Sequence, residues 1–424
     1  MYYYSKFNFE IPNEDYIAVV SFMTSSIVKF NKEKFYYLKN NKVEEGFTQS
    51  EIDSLLQMAI ISPQEDEVAL LFDRRRKYFD NQDNKQYIIT ILTTTDCNAR
   101  CYYCYEHGID KKKMTLATAQ STVDYIKKHY NNRPVYISWF GGEPLYNSEI
   151  INYICSRLKE EGIVYSSSIT SNAYLMIENI DNACTLWNLK SIQITLDAIG
   201  EKYNKVKNFI YTQDSNPFEK IINSIDLLLN KGIRISIRIN FDPAKIDETI
   251  EVIHFLHKKF GNHPKLQVYC APIVSDHISA VLDYTGNTNP ILKLYKSLID
   301  HKYITRIEEL NIRPRLLNCS IHIKGMAVVD VDGNIYKCQH AIVEGKSSAY
   351  GNIFSDEVDE ENIKMWEGLE FPYAQCNECN CLPICLGGCK FRAIQNESKD
   401  VCIPIKNCIQ EVIELLYDNF YKEV

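Results

Sequence analysis

The 424-residue sequence predicts an α/β protein built around a parallel sheet. From Tyr87 onward, short runs rich in β-branched residues alternate with helical patterns, and six strands can be counted. Such alternation is typical of parallel strands that are connected by helices. Hydrophobic residues make up 45% of the chain, which is enough for a full core. The length also favours two or three domains.

The alternating region has well-separated elements. Its predicted strands cover residues 87–94, 135–140, 167–170, 191–196, 233–239 and 266–270. Its predicted helices cover residues 115–129, 147–162, 180–186, 218–231 and 247–260, and Thr115 is a suitable N-cap for the first of them. In parallel α/β folds the chemistry lies at the carboxyl ends of the strands, so the residues that follow each strand are the candidate site residues.

Two segments flank this region. Residues 1–85 predict strands at 17–22 and 26–30 and helices at 31–39 and 49–60, followed by a break at Ser62-Pro63 before residues 67–76. Together these elements suggest a small winged-helix-like unit. Residues 273–317 predict a helical linker with a helix at 290–301. Residues 318–424 are rich in cysteine, and Asp332-Gly333 predicts the turn of a β-hairpin.

Composition excludes several function classes. The net charge of −8 argues against a nucleic-acid partner, because the phosphate backbone is also negative. No apolar run reaches membrane-spanning length, and the first residues lack the pattern of a secretory signal. Fifteen cysteines in such a chain therefore predict metal binding in a reducing cytoplasm rather than disulfides.

Three cysteines follow the first predicted strand of the alternating region. Cys97, Cys101 and Cys104 have the spacing C-x3-C-x2-C. Three thiolates on one loop can hold three irons of a [4Fe–4S] cluster and leave the fourth iron open for a ligand. A zinc knuckle fits the x3 spacing poorly, and a disulfide requires an oxidising compartment.

With Tyr103 before its last cysteine, this loop resembles the C-x3-C-x-aromatic-C signature of radical S-adenosylmethionine (SAM) enzymes. The resemblance implies a partial (β/α)6 TIM-like barrel over residues 86–272. It also implies that Cys97, Cys101 and Cys104 are catalytic, because the open iron binds SAM and the reduced cluster cleaves it to a 5′-deoxyadenosyl radical. The family motif that holds the SAM amino group is resembled by four residues after the second strand: Gly141, Gly142, Glu143 and Pro144.

The resemblance also implies SAM contacts at the ends of later strands. The residues are Asn172, Thr195, Asp197, Lys207 and Arg238. Ala198 replaces a family glycine, and Lys207 stands where an arginine grips the SAM carboxylate, so the bidentate fork of arginine is lost. Taken one by one, each polar residue is about as well explained as a strand-end hydrogen bonder.

The C-terminal cysteines resemble the SPASM domain, which carries two auxiliary [4Fe–4S] clusters. The pattern is C-x13-G-x4-C, then C-x2-C-x5-C-x3-C and a late cysteine. The resemblance implies one cluster on Cys376, Cys379, Cys385 and Cys402, with Cys408 as the alternative to Cys402. It implies another on Cys319, Cys338 and Cys389, whose fourth ligand is Cys381, Cys408 or none. A pair of zinc ribbons fits the x5 and x3 spacings less well.

This resemblance implies a maturase of ribosomally made peptides, with three [4Fe–4S] clusters and SAM as cofactors. The partners would be a precursor peptide, whose leader binds the N-terminal unit, and an electron donor such as flavodoxin or ferredoxin. The product would be an oxidative cross-link: a thioether, carbon–carbon or carbon–oxygen bond. The alternatives are an anaerobic sulfatase-maturating type of enzyme that forms formylglycine, and a non-catalytic iron–sulfur protein. The N-terminal unit could also be only a packing cap.

Overall fold

A computed structural model describes residues 1–82, 86–210, 214–273, 289–310, 314–317, 319–355, 357–395 and 402–423. The chain forms two compact units. The first unit contains Met1–Gln82, Val281–His322 and Gly368–Val424. The second unit contains Asp83–Ala280 and Ile323–Glu367.

The first unit begins with two small antiparallel sheets. Its strands are β1 (Tyr3–Tyr4), β2 (Asn8–Pro12), β3 (Tyr16–Ser21), β4 (Ile27–Asn31) and β5 (Ile61–Ser62). The order β2-β3-β4 makes one sheet, and β1 pairs with β5. Its helices here are α1 (Lys32–Lys39), α2 (Val43–Gly46), α3 (Gln49–Gln57) and α4 (Glu67–Asp80). The helices predicted at 31–39 and 49–60 are confirmed, and α4 follows the break at Ser62-Pro63.

Local sequence explains where these helices begin. The Asn31 side chain accepts a hydrogen bond from the Lys34 amide at the start of α1. Thr48 and Glu51 form a capping box at the start of α3, in which each side chain accepts from the other residue's amide. The apolar faces then pack on Val19 and Phe30 of the sheet.

The second unit is built on parallel strands. They are β6 (Tyr87–Thr94), β7 (Val135–Gly141), β8 (Tyr165–Ser171), β9 (Leu189–Thr195), β10 (Arg234–Phe241) and β11 (Leu266–Pro272). The helices between them are α5 (Leu116–His129), α6 (Ser148–Glu160), α7 (Met176–Thr185), α8 (Gly200–Lys207), α9 (Pro217–Asn230) and α10 (Ile246–Phe260). The α/β class and the six-stranded partial barrel are therefore confirmed, and Thr115 caps α5 as predicted.

Helix α11 (Pro290–Asp300) belongs to the first unit, and the chain then returns to the second unit. There, β12 (Ala327–Val329) pairs in parallel with β6, while β13 (Asn334–Tyr336) and β14 (Gly351–Asn352) follow antiparallel. The sheet order is therefore β11-β10-β9-β8-β7-β6-β12-β13-β14. The hairpin that Asp332-Gly333 predicts is confirmed.

The remaining helices complete both units. Helix α12 (Glu360–Glu367) lies in the second unit, whereas α13 (Leu382–Cys385), α14 (Lys390–Ile394) and α15 (Ile409–Phe420) lie in the first. The segment 318–424, predicted to be one domain, thus contributes to both compact units. Among the described helices, none combines the length and apolarity needed to cross a membrane.

Candidate active site

The three-cysteine loop leaves the carboxyl end of β6 and is held in place by its own backbone. The Thr95 amide donates to the Lys112 carbonyl at 2.9 Å, and the Thr95 hydroxyl donates to the Asp110 carbonyl at 2.6 Å. The Asp96 amide donates to the Thr94 hydroxyl at 2.9 Å. These bonds fix the start of the loop against residues 110–112 at the edge of the sheet.

A salt bridge inside the loop shapes the turn around Cys97. Arg100 reaches Asp96 at 3.2 Å and also donates to the Cys97 carbonyl at 2.5 Å. The Asp96 carboxylate accepts from the Cys97 amide at 2.8 Å. Sequence reasoning missed this pair, although opposite charges on both sides of the first cysteine were a visible signal.

The three thiols suit a cationic iron cluster. Burial, followed by the negative charges of Glu143, Cys101 and Cys104, raises the pKa of Cys97 to about 12. Burial also raises the pKa of Cys104. Thiolates that oppose one another in this way need positive charge at the same place, which iron supplies while deprotonating its ligands.

Two further observations bear on this fit. The side-chain amide nitrogen of Asn98 is buried and has no hydrogen-bond partner among the described residues. The side-chain oxygen of the same residue, Oδ1, lies 3.9 Å from the Cys97 sulfur. In the described parts of the chain, no three Cys, His, Asp or Glu side chains converge as a single metal ion requires. The unpaired Asn98 donor, next to Cys97 in the loop, fits a site that holds a further group such as a four-iron cluster.

The double glycine after β7 lies against the cysteine loop. The Gly142 amide donates to the Thr94 carbonyl at 3.0 Å, and the Glu143 amide donates to the Asp96 carbonyl at 2.9 Å. A Cβ atom on Gly141 would lie 2.1 Å from the Thr94 oxygen, and one on Gly142 would lie 2.4 Å from the Asp96 oxygen. Only glycine therefore lets these two backbones approach each other so closely.

The carboxylate of Glu143 is fully buried and joins two strand ends. It accepts from the Leu145 amide at 3.1 Å, the Ser171 hydroxyl at 2.7 Å and the Asn172 amide at 2.7 Å. Burial raises the pKa of Glu143 to about 7, although these hydrogen bonds lower it. Pro144 then begins a 3₁₀ helix at Pro144–Asn147. Glu143 thus positions the end of β8 beside the glycine turn.

Asn172, just after β8, reaches the cysteine loop directly. The Asn172 side-chain nitrogen donates to the side-chain oxygen (Oδ1) of Asn98 at 2.7 Å. The same nitrogen lies 3.9 Å from the Cys97 sulfur. The Asn172 side-chain oxygen accepts from the Tyr174 amide at 3.0 Å. The structure therefore brings Cys97, Glu143 and Asn172 together at one edge of the sheet.

Tyr103 of the cysteine loop forms a polar triad with Asp197 and Lys207. The Lys207 ammonium donates to the Asp197 carboxylate at 2.9 Å and to the Tyr103 oxygen at 2.7 Å. The Tyr103 hydroxyl also bonds to Asp197. The side chains of Lys207 and Asp197 are only 3% and 4% exposed. Burial, the largest single effect, would lower the pKa of Lys207, but the charges of Asp197, Tyr103, Cys101 and Tyr203 together outweigh it and the pKa is well above its usual value.

The triad ties the cysteine loop to two further strand ends. The Lys207 carbonyl accepts from the Arg100 amide at 2.8 Å. Asp197 accepts from the Asn240 amide at 2.8 Å, and the Asn240 side chain accepts from Arg238 at 2.8 Å. Arg238 and the triad therefore belong to one hydrogen-bonded network, which sequence reasoning had treated as separate contacts.

Thr195, the last residue of β9, has a different kind of partner. Its backbone carbonyl accepts from the Tyr203 hydroxyl at 3.3 Å. Tyr203 is fully buried and lies on α8, two positions before Lys205. The contact fixes α8, which carries Lys207, against the end of the strand.

Four C-terminal cysteines of the first unit are electrostatic neighbours. After burial, the charge of Cys402 raises the pKa of both Cys376 and Cys385, and Cys379 raises that of Cys385. Cys381 donates to Cys379 and lowers the pKa of Cys379. The buried Cys408 has Glu411 as its charged neighbour instead. The set that surrounds Cys385 thus includes Cys402.

The second predicted auxiliary set is distributed over both units. Cys319 and Cys389 lie in the first unit, where burial and then the charge of Cys389 raise the pKa of Cys319. Cys338 lies in the second unit, two residues after β13. Burial, then the charges of Glu106, Cys104 and Cys338, raise the pKa of Tyr105.

A three-cysteine loop bonded to a glycine turn at the carboxyl edge of a parallel sheet defines a class of enzyme, and the sequence agrees. Residues 91–256 match the profile of the Radical SAM superfamily. Residues 91–256 therefore form a radical SAM domain, and the chain is an enzyme. Domains of this kind use a [4Fe–4S] cluster and SAM.

Individual proteins resemble almost the whole chain. The radical SAM cyclopropyl synthase TigE of Paramaledivibacter caminithermalis is 21% identical over 452 residues, which cover 96% of this chain and 90% of TigE. Streptococcus suis SuiB bound to precursor peptide SuiA has a TM-score of 0.52 at 15% identity, covering 95% of this chain and all of SuiB. The protein anSMEcpe, with AdoMet and the Cp18Cys peptide, has a TM-score of 0.53 at 17% identity, covering 79% of this chain and 97% of anSMEcpe.

Proposed function

We propose that this enzyme modifies a ribosomally made precursor peptide by oxidative cross-linking, with SAM bound at the loop of Cys97, Cys101 and Cys104. The observation that carries the proposal is the pair of amide bonds from Gly142 and Glu143 to the cysteine loop. This contact supports the proposal, because it joins a turn that resembles the SAM amino-group motif to the backbone that leads into Cys97.

The proposed reaction removes two hydrogens from the peptide for each new bond. The cluster, when bound with SAM, supplies a 5′-deoxyadenosyl radical. One peptide hydrogen leaves in 5′-deoxyadenosine, and a second leaves as a proton to solvent and an electron that an auxiliary cluster would accept, so that each new bond costs the peptide two hydrogens. A flavodoxin or ferredoxin would supply the electron that starts the cycle.

The residues of the site have distinct proposed tasks. Asn172 and Arg238 would contact SAM, and Gly141, Gly142 and Pro144 would shape the pocket for its amino group. Glu143 and the triad of Tyr103, Asp197 and Lys207 are bonded within the protein. We assign to them the positioning of the cysteine loop rather than a direct grip on SAM.

Relatives support a peptide as the substrate. SuiB and anSMEcpe are both known with bound peptides. TigE is described as a cyclopropyl synthase, and a cyclopropyl ring requires a new carbon–carbon bond in an existing carbon chain. Among the three cross-links considered, this likeness favours the carbon–carbon bond.

The auxiliary clusters and the leader site are further parts of the proposal. Cys376, Cys379, Cys385 and Cys402 would hold one cluster, and Cys319, Cys338 and Cys389 would hold the other. β2 and β4 are the outer strands of their sheet, and an extended leader could add to one of them as a further strand.

The test is anaerobic co-expression of the enzyme with short open reading frames encoded beside its gene, followed by mass spectrometry of each peptide. A loss of two hydrogens per site, absent when Cys97, Cys101 and Cys104 are all replaced by alanine, is the expected result. Formation of 5′-deoxyadenosine by that triple variant would contradict the assignment of the site.

A second candidate is the formation of formylglycine from a cysteine or serine. The fold likeness to anSMEcpe, with its Cp18Cys peptide, is the observation that favours it. For cysteine the same mass spectra separate the two functions, because formylglycine made from cysteine loses the sulfur atom whereas a cross-link keeps it. Formylglycine made from serine loses two hydrogens, as a cross-link does, so a hydrazide reagent that adds to the aldehyde separates that case.

A further inference from the structure

A cavity of about 410 Å³ in the first unit is lined by cations and apolar groups. Its charged residues are Arg74 and Lys77 of α4 together with Arg315. Its apolar walls are Met23, Leu71, Pro314, Leu316 and Pro383. No carboxylate is among these described lining residues, in a chain whose net charge is −8.

The spacing on α4 places the two cations above an apolar floor. Leu71, Arg74 and Lys77 follow one another at intervals of three, so they lie along one face of the helix. Leu71 is 1% exposed and belongs to a cluster with Phe7 and Leu382. Arg74 and Lys77, in contrast, are exposed. The arrangement is apolar inside and cationic at the mouth.

The opposite wall is held in place from two sides. The Arg315 amide donates to the Pro383 carbonyl at 3.0 Å. The Leu316 carbonyl accepts from the buried Arg75 side chain at 3.2 Å. These bonds fix the wall before any ligand arrives, which reduces the ordering cost of binding.

Two of the cations on α4 have no acidic partner among the described residues. Within the described part of the chain, Arg76 pairs with Glu370, but neither Arg74 nor Lys77 forms a salt bridge. Arg315 has a second task, because its charge lowers the pKa of Cys319 against the larger effect of burial. Arg74 and Lys77 are therefore the residues on which a test should rest.

We infer that this cavity is a docking site for an acidic, apolar segment of the precursor peptide. An apolar side chain of that segment would enter between Leu71 and Pro383, while carboxylates beside it would meet Arg74 and Lys77. The inference rests on the proposed peptide substrate, and charge complementarity is what commits the site to an acidic segment.

The experiment measures binding of a short fluorescein-labelled peptide of alternating leucine and glutamate to the full chain by fluorescence anisotropy. The double variant Arg74→Glu/Lys77→Glu should weaken binding at least about tenfold, because both attractive charges become repulsive. Arg74→Ala/Lys77→Ala should weaken it less, and the affinity for the wild-type protein should fall with added salt.

Two controls are matched to this variant. Lys231→Glu/Lys258→Glu makes the same change of net charge at exposed positions that do not line the cavity, and it should leave binding unchanged. A peptide of alternating leucine and lysine should not bind. Equal binding of both peptides, or equal loss of binding in both double variants, would overturn the proposal.

Other outcomes are equally decisive. If sedimentation shows a wild-type dimer that Arg74→Glu/Lys77→Glu dissociates, a second copy covers the cavity and the proposal is overturned. If the acidic peptide does not bind while the enzyme still modifies a co-expressed peptide, docking fails and the proposed function stands. If the peptide binds as expected but no co-expressed peptide changes, docking is supported and the proposed function fails.

Discussion

Gly142 is the residue at which the two halves of the site depend most directly on each other. Its backbone conformation is open to other residues, but a Cβ atom would meet the Asp96 oxygen at 2.4 Å and the Asp96 carbonyl carbon at 2.7 Å. The obstacle is backbone rather than a flexible side chain, so the cysteine loop itself would have to move.

We therefore expect Gly142→Ala to displace the loop, at a cost of about 1–3 kcal/mol for the forced shift, and to abolish most 5′-deoxyadenosine formation. Gly162→Ala is the control for backbone strain alone, because its φ of +69° disfavours alanine while nothing lies within 4 Å of its Cβ position. It should cost about 1–2 kcal/mol and leave 5′-deoxyadenosine formation unchanged. The measurements are thermal unfolding and product formation under reductant. Normal activity of Gly142→Ala would show that the loop tolerates the shift.

The triad of Tyr103, Asp197 and Lys207 makes a second prediction at this scale. Lys207→Met leaves the Asp197 carboxylate buried without its cation, which typically costs about 3–5 kcal/mol. The double variant Lys207→Met/Asp197→Asn should recover much of this loss, because the charge disappears while an oxygen remains to accept from Asn240. The free energy of unfolding in denaturant measures both.

The control and the pH dependence sharpen that prediction. Lys205→Met removes an exposed lysine of the same helix whose partner Glu201 is also exposed, so it should cost less than about 1 kcal/mol. Because the pKa of Lys207 is raised on folding, its stabilisation is complete below the ordinary lysine pKa of about 10.4 and is lost only as the pH rises through the raised value. A Lys207→Met penalty that already decreased between about pH 8 and pH 10 would contradict this account.

At the scale of elements, the sequence was most informative where a period was long and uninterrupted. All six parallel strands were predicted, because buried β-branched runs alternate with long amphipathic helices. Helix α15 was missed, although Ile409, Val412, Ile413 and Leu416 are buried at helical spacing. The missed signal was this apolar period itself, which follows directly after Cys408.

Other features were outside the reach of sequence alone. The pairing of Lys207 with Asp197 joins residues ten positions apart, and a lysine in that place can equally well face a ligand. The parallel pairing of β12 with β6 depends on a contact between residues over 200 positions apart, such as Ala327 with Ile89. No local pattern signals such a contact.

The β12–β13 hairpin makes a prediction of its own. The buried Asp330 carboxylate accepts from the Asp332 amide, from the amide and side chain of Asn334, and from the Tyr336 hydroxyl at 2.8–3.1 Å. Asp330→Ala leaves several buried donors without a partner, so we expect a loss of about 2–3 kcal/mol. It should also lower the iron content, because Cys338 follows the hairpin.

The matched control lies in the same turn. Asp332 is exposed and pairs with Lys112 at 2.7 Å. Asp332→Ala should therefore cost less than about 1 kcal/mol and leave iron unchanged. Similar melting temperatures for the two variants would show that the Asp330 network does not hold the hairpin.

At the scale of the whole molecule, the cysteines distinguish a simple radical SAM enzyme from one with auxiliary clusters. If the proposal is right, the anaerobically purified protein carries about twelve irons in three four-iron clusters. Cys402→Ala should remove up to about four of them and stop peptide modification. Reductive cleavage of SAM should persist, because Cys97, Cys101 and Cys104 remain intact.

Cys408 provides the contrast within the same region. It is fully buried at the start of α15 and has no cysteine among the charges that raise its pKa. Cys408→Ala should therefore keep the iron and lower only the melting temperature, and Cys184→Ser, at an exposed position, should change neither. If Cys408→Ala loses iron and Cys402→Ala does not, Cys408 is the ligand. If the wild-type protein holds only about four irons, the C-terminal cysteines bind no cluster, and electrons released from the peptide must leave by another route.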